Sequence, residues 1–188
     1  MNKAVFLDRD GVINRKAPEG EYIVRWEGFE ILPGVVEAIQ SLNQSGCCVI
    51  VVTNQRAVAR SKITLAELQE MHARLIATLA ERGAKIDRVY FCPHDLEANC
   101  DCRKPKAGML LRALKEFEID PLKSWMVGDS AVDIEAGKTA GCRTALIGTS
   151  SNATDGGAGA DILAGDLRQA VALILTADES PALPASRG

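Results

Sequence analysis

Five short apolar runs, Ala4–Leu7, Cys47–Thr53, Arg88–Cys92, Ser124–Val127 and Arg143–Ile147, recur along the chain with a helical pattern or a long connection between each and the next. Runs of this length read as buried strands. Strands that alternate with helices pair in parallel through right-handed crossovers. The expected architecture is therefore α/β: a three-layer, Rossmann-like parallel sheet with helices on both faces. With 188 residues, 47% of them hydrophobic, the chain can bury one core of ordinary size. One domain over residues 1–175 is expected, followed by a tail, 176–188, that has little to bury and is expected to be disordered.

Helix punctuation supports the alternation. Pro33-Gly34 opens Val35–Leu42 and Gly46 closes it, the usual asymmetry of proline at a helix start and glycine past its end. Thr64-Leu65-Ala66-Glu67 is a capping box, and Leu65, Leu68, Leu75, Ile76 and Leu79 continue on one face toward Gly83. His72, on this helix, is expected at a solvated edge. Met109–Phe117 and Leu167–Leu175 read as further helices, and Gly148–Ala160 as a mobile loop rich in Ser, Gly, Asn and Asp. The connections from Asp8 to Thr53 and from Thr53 to Lys104 leave no room for an inserted lid domain, so no large cap is expected and any site should be open.

The polar residues that break this pattern follow the strands. Asp8-Arg9-Asp10-Gly11 follows the first, Thr53-Asn54-Gln55 ends the second, a Cys/His segment with Arg103-Lys104 follows the third, and Gly128-Asp129 follows the fourth. In an open parallel sheet these ends share one edge, where ligands bind. Two carboxylates at the mouth of an apolar strand repel each other unless a cation or proton offsets them. Mg²⁺ would do so, with Asp129 completing an oxygen-rich site. A carboxylate nucleophile can attack phosphorus and split a hard hydrolysis into two steps, with a second carboxyl carrying the proton. Either Asp8 or Asp10 can take either role on this reading. Thr53 and Lys104 would neutralise phosphoryl oxygens. Asp133, one helical turn past Asp129, either orients the metal shell or is an exposed helix carboxylate.

Cys92, His94, Cys100 and Cys102 fall within eleven residues. Four soft ligands on so short a loop match tetrahedral Zn²⁺ with every position filled, which marks a structural site. The ion would stiffen the loop that delivers Arg103 and Lys104. Cys47, Cys48 and Cys142 read as core residues. A net charge of −3 and 4% aromatic residues offer neither the basic stripe nor the stacking platform of a nucleic-acid binder. No nucleic-acid or membrane partner is expected; a small anion could still bind at a locally positive pocket, and a cytoplasmic monomer is expected.

Asp8-Arg9-Asp10-Gly11-Val12, Thr53, Lys104 and Gly128-Asp129-x-x-x-Asp133 together resemble the haloacid dehalogenase-like phosphatases. The resemblance implies that Asp8 is the nucleophile, Asp10 the acid/base, and Asp8, Asp10 and Asp129 the Mg²⁺ site. The Cys/His array followed by Arg103-Lys104-Pro105 is similar to a subgroup of heptose bisphosphate and histidinol-phosphate phosphatases. Gly28–Val35, Ala59-Arg60 and Gly108-Met109-Leu110 lie nearer its heptose branch. That implies removal of the 7-phosphate of D-glycero-D-manno-heptose 1,7-bisphosphate, with substrate held by Glu19, Gly20, Glu21, Tyr22, Asn54, Gln55, Arg56 and Arg103. The alternatives are hydrolysis of histidinol phosphate and removal of 3′-phosphates from nucleic-acid ends. Arg56 and Ser61 stand where the heptose branch usually has Ser and Gly.

Overall fold

The structure is a computed structural model and describes residues 1–148 and 159–179. Six parallel strands form one sheet in the order β3-β2-β1-β4-β5-β6. They are β1 (Ala4–Leu7), β2 (Cys48–Asn54), β3 (Arg88–Cys92), β4 (Trp125–Gly128), β5 (Arg143–Ile147) and β6 (Ile162–Ala164). Between them run α1 (Val35–Gln44), α2 (Leu65–Glu81), α3 (Gly108–Glu116) and α4 (Ala131–Thr139), and α5 (Leu167–Glu179) follows β6.

Alternate residues of each strand enter different cores, as the pleat requires. Val5, Leu7, Val49, Val51, Trp125, Val127, Ala145 and Ile147 pack with buried residues of α1, α2 and α5. Ala4, Phe6, Ile50, Val52, Tyr90 and Met126 pack on the other face with Met109, Leu110 and Ala113 of α3 and Ala136 and Ala140 beyond it. The three layers expected from the alternation are present. No inserted cap domain occurs among the described residues, and none of their helices is long and apolar enough to cross a membrane.

Several local expectations shift. β2 and β4 each begin one residue later than their apolar runs. β6 was not anticipated, because Ile162–Ala164 is three residues in a Gly- and Asp-rich stretch. α5 extends four residues past Leu175, so the expected tail begins inside a helix, and residues 180–188 lie outside the described ones. Most of the expected loop, 149–158, does so too. Cys47 and Cys142 are core residues, whereas Cys48 is half-buried. His72 is only 4% exposed, which overturns its expected place at a solvated edge. It sits four residues past Leu68 and three before Leu75, on the apolar face of α2.

From β1 the chain builds outward through β2 and β3, then crosses back to place β4 on the other side of β1. The strand order thus reverses between β1 and β4. At that reversal the loops diverge and leave a crevice at the carboxyl ends.

Candidate active site

Asp8 emerges from β1 into this crevice, its backbone N–H donating to Val127 O of β4 at 2.9 Å. Lys104 Nζ donates to Asp8 Oδ1 at 2.8 Å and to Val52 O at 2.8 Å, and lies 2.6 Å from Asp133 Oδ1. Burial pushes the Asp8 carboxyl up to about 7, with Lys104 pulling down and Asp133 and Asp10 adding to the rise. Burial works against the Lys104 charge as well, but Asp8 and Asp133 more than offset it and raise its proton affinity. Asp133 is therefore no exposed helix carboxylate. It accepts from Ser130 N and Oγ as the capping box of α4 and also faces the buried lysine.

Oxygens of Asp8, Asp129 and Asp133 lie within 4.8 Å of one another. Two glycines make room for this cluster. A Cβ on Gly11, whose φ is +93°, would fall 2.2 Å from Asp129 Oδ2, and one on Gly128 would fall 2.1 Å from Asp133 Cβ. Lys16 Nζ reaches Asp129 Oδ2 at 2.8 Å. An all-oxygen carboxylate set in which burial drives Asp8 and Asp129 toward protonation is suited to a hard divalent cation.

The Asp10 carboxylate turns away from that cluster. Arg9 Nη2 donates to both of its oxygens at 2.9 Å, Asn14 Nδ2 to Oδ1 at 2.9 Å and Gln55 Nε2 to Oδ2 at 2.8 Å. Burial favours the neutral acid, but the Arg9 charge and these donors outweigh it and hold the carboxyl below its ordinary range. Its carboxylate oxygens are thus taken up by protein donors, and Asp10 is not among the carboxylates that converge with Asp8 and Asp129.

A cleft of about 360 Å³ joins these groups, within the usual size of small-molecule sites. Asp8, Asp10, Thr53, Lys104 and Asp129 line its floor, and Glu19, Gly20, Glu21, Tyr22, Asn54, Gln55, Arg56 and Arg103 line its walls. Gln55 is spent internally, donating to Thr53 Oγ1 at 2.9 Å as well as to Asp10. Asn54 clasps the main chain of Lys104 through both ends of its amide, at 3.0 and 3.1 Å. The Arg56 guanidinium stands 5.8 Å from the Tyr22 ring centre. Arg60 bonds Tyr22 Oη at 3.1 Å and Asp95 at 2.6 Å, bracing the same wall.

Beyond Arg103 the Cys/His loop closes on itself. Cys92 Sγ lies 3.5 Å from Cys100 Sγ, Cys102 Sγ 3.4 Å from Cys100 Sγ, and His94 Nδ1 3.6 and 3.3 Å from Cys92 and Cys102. Donors at ordinary zinc distances on a tetrahedron would be about 3.8 Å apart for sulfur pairs and about 3.6 Å for sulfur and nitrogen. The array fits a zinc ion. Arg103 Nη1 donates to His94 O at 3.2 Å, so the arginine at the cleft wall is anchored to this loop.

The profile of the haloacid dehalogenase-like hydrolases matches residues 2–141. The chain belongs to that family. Among curated members, a D-glycero-β-D-manno-heptose-1,7-bisphosphate 7-phosphatase from Pasteurella multocida is 40% identical over 164 residues, 84% of this chain and 88% of its own. The protein of the same name from Pseudomonas putida is 43% identical over 147 residues, 78% of this chain and 83% of its own. A solved D,D-heptose 1,7-bisphosphate phosphatase from B. bronchiseptica, complexed with magnesium and phosphate, has a TM-score of 0.84 and 30% identity. It covers 93% of this chain and 99% of that one.

In this hydrolase, sequence reasoning missed three groups that the fold brings to the site: Arg9, Lys16 and His72. Arg9 lies between the two aspartates, where its charge reads as a solvated neighbour, yet it is 1% exposed. Only the position of His72 on the apolar stripe of α2 signalled that it was buried. Lys16 carries no sequence signal, because its approach to Asp129 depends on how the loop after Asn14 folds back.

Proposed function

We propose that the chain is a Mg²⁺-dependent phosphomonoesterase that removes the 7-phosphate of D-glycero-D-manno-heptose 1,7-bisphosphate through an aspartyl-phosphate on Asp8. The observation that carries this reading is the convergence of Asp8, Lys104 and Asp129, from three separate segments, on one cleft. The names of the relatives favour the heptose substrate over histidinol phosphate or a nucleic-acid end, and favour the β anomer.

Asp8 Oδ attacks phosphorus while the bond to the leaving sugar oxygen breaks, and Asp10 gives that oxygen its proton. Water then attacks the aspartyl-phosphate, Asp10 takes back a proton, and phosphate leaves with Asp8 restored. Asp10 starts ionised, held so chiefly by Arg9 against its burial. An approaching phosphoryl dianion raises its proton affinity by like-charge repulsion, which lets it pick up the proton it must donate. Lys104 favours the ionised form of Asp8 against its burial and adds positive charge beside the phosphoryl seat. Thr53 presents its hydroxyl there. A magnesium ion held by Asp8 and Asp129 would neutralise charge that builds on the phosphoryl oxygens. Arg56 and Arg103 face the outer cleft and would grip the phosphate that is not cleaved. Zinc on Cys92, His94, Cys100 and Cys102 would hold Arg103 in place.

The test is phosphate release from the heptose bisphosphate, with and without Mg²⁺, beside histidinol phosphate and a 3′-phosphorylated oligonucleotide. Hydrolysis of the sugar by wild type and its loss in Asp8→Asn are expected. Wild-type turnover by Asp8→Asn, or higher kcat/KM on either competitor, would overturn the reading.

A further inference from the structure

Arg9 and His72 form a buried pair behind Asp10 that the chemistry above does not require to touch substrate. Arg9 Nε and Nη2 face the Asp10 carboxylate, while Nη1 points the other way, 3.1 Å from His72 Nε2 and 3.9 Å from Met71 Sδ. The Phe29 ring centre lies 5.3 Å from the guanidinium carbon, and the His72 ring packs against Phe91 at 5.4 Å. A guanidinium can only donate, so the nitrogen facing it must be an unprotonated acceptor and Nδ1 must carry the ring proton. Burial, then the Arg9 charge, pushes the His72 pKa down to about 3, which keeps the ring in that acceptor form.

We infer that His72 is a positioning residue for Asp10: by accepting from Nη1 it fixes the plane of the Arg9 guanidinium, and through it the angle of the Asp10 carboxylate. This rests on the reading of Asp10 as the proton carrier. An apolar residue would fill this place on α2 at lower desolvation cost, and would leave the planar fork free to rock about its bond to Asp10. Asn14 and Gln55 hold the carboxylate oxygens individually, but neither controls the tilt of the arginine plane. A proton donor must meet the leaving oxygen at hydrogen-bond range, and small misplacements at such a step are costly in rate.

The experiment compares wild type, His72→Leu and His72→Gln, the last keeping an acceptor at similar reach. With the sugar bisphosphate and Mg²⁺, His72→Leu should lower kcat about ten- to hundredfold. KM, and Mg²⁺ binding measured directly by calorimetry, should stay within about twofold of wild type. His72→Gln should recover most of kcat. A second readout does not use turnover: the Arg9 Nη proton signals in ¹⁵N spectra should be slowly exchanging in wild type and His72→Gln and averaged by rotation in His72→Leu. Equal kcat in the two variants, loss confined to KM, or Arg9 signals unchanged by His72→Leu would each overturn the inference. Wild type that hydrolyses no phosphomonoester would instead overturn the proposed function, and the Arg9 spectra would still decide the role of His72.

Discussion

Lys104 Nζ lies 2.8 Å from Asp8 Oδ1, a contact between the residue that follows β1 and a loop 96 residues further along the chain. Without that ammonium, two buried carboxylates, Asp8 and Asp133, would face each other with no cation between them. Lys104→Met should therefore destabilise the fold by about 3–5 kcal/mol, the usual cost of breaking a buried pair from one side. Asp8 already sits near neutrality, and it loses the partner that lowers its pKa. Any remaining activity should have its rising limb moved to higher pH. Urea unfolding and a pH–rate profile measure both effects, and a variant with unchanged stability and profile would refute the assignment.

Chelation of the Cys/His ion should act at a distance from the chemistry. Arg103 is tied to His94 O within the loop that the ion would clamp, whereas Asp8 and Asp10 are held by the sheet and its own ladder. Loss of zinc should raise KM for the bisphosphate by about tenfold, the scale of one charge-assisted hydrogen bond, and lower Tm, with a smaller effect on kcat. Metal analysis should first find zinc in the purified protein. A protein that holds no zinc, or whose KM survives chelation, would show the loop to be self-supporting.

The sequence was most legible where a residue's role depends on a local pattern. The capping box at Thr64 and the acidic pair after β1 each announce themselves within a few residues, and parallel-sheet logic then places the strand ends together. Roles that depend on side-chain direction were hidden. Gln55 stands in the same triplet as Thr53 and reads as a substrate ligand, but its amide turns inward to Asp10. Asp133 looked equally consistent with solvent because its partner, Lys104, comes from a different loop. Arg9 was concealed by its neighbours: a charge between two charges suggests water, while the fold buries it under Phe29 and gives it one carboxylate and one imidazole.

Acid stability offers a separate check on that buried imidazole. The His72 pKa falls to about 3 in the folded protein from an ordinary value of 6.5, so below about pH 6.5 the unfolded chain binds a proton that the folded one refuses. The stability associated with keeping the ring neutral is fully present above the unfolded value and drains away as pH drops toward about 3. By linkage, this one site should remove about 2 kcal/mol between about pH 7 and about pH 5. His72→Gln cannot take up that proton in either state, so its unfolding free energy should decline less over the same interval. Urea titrations of both proteins at the two pH values measure the difference directly. Parallel declines would mean that the ring is protonated in the folded state, and a protonated ring has no lone pair at Nε2 with which to accept from Arg9.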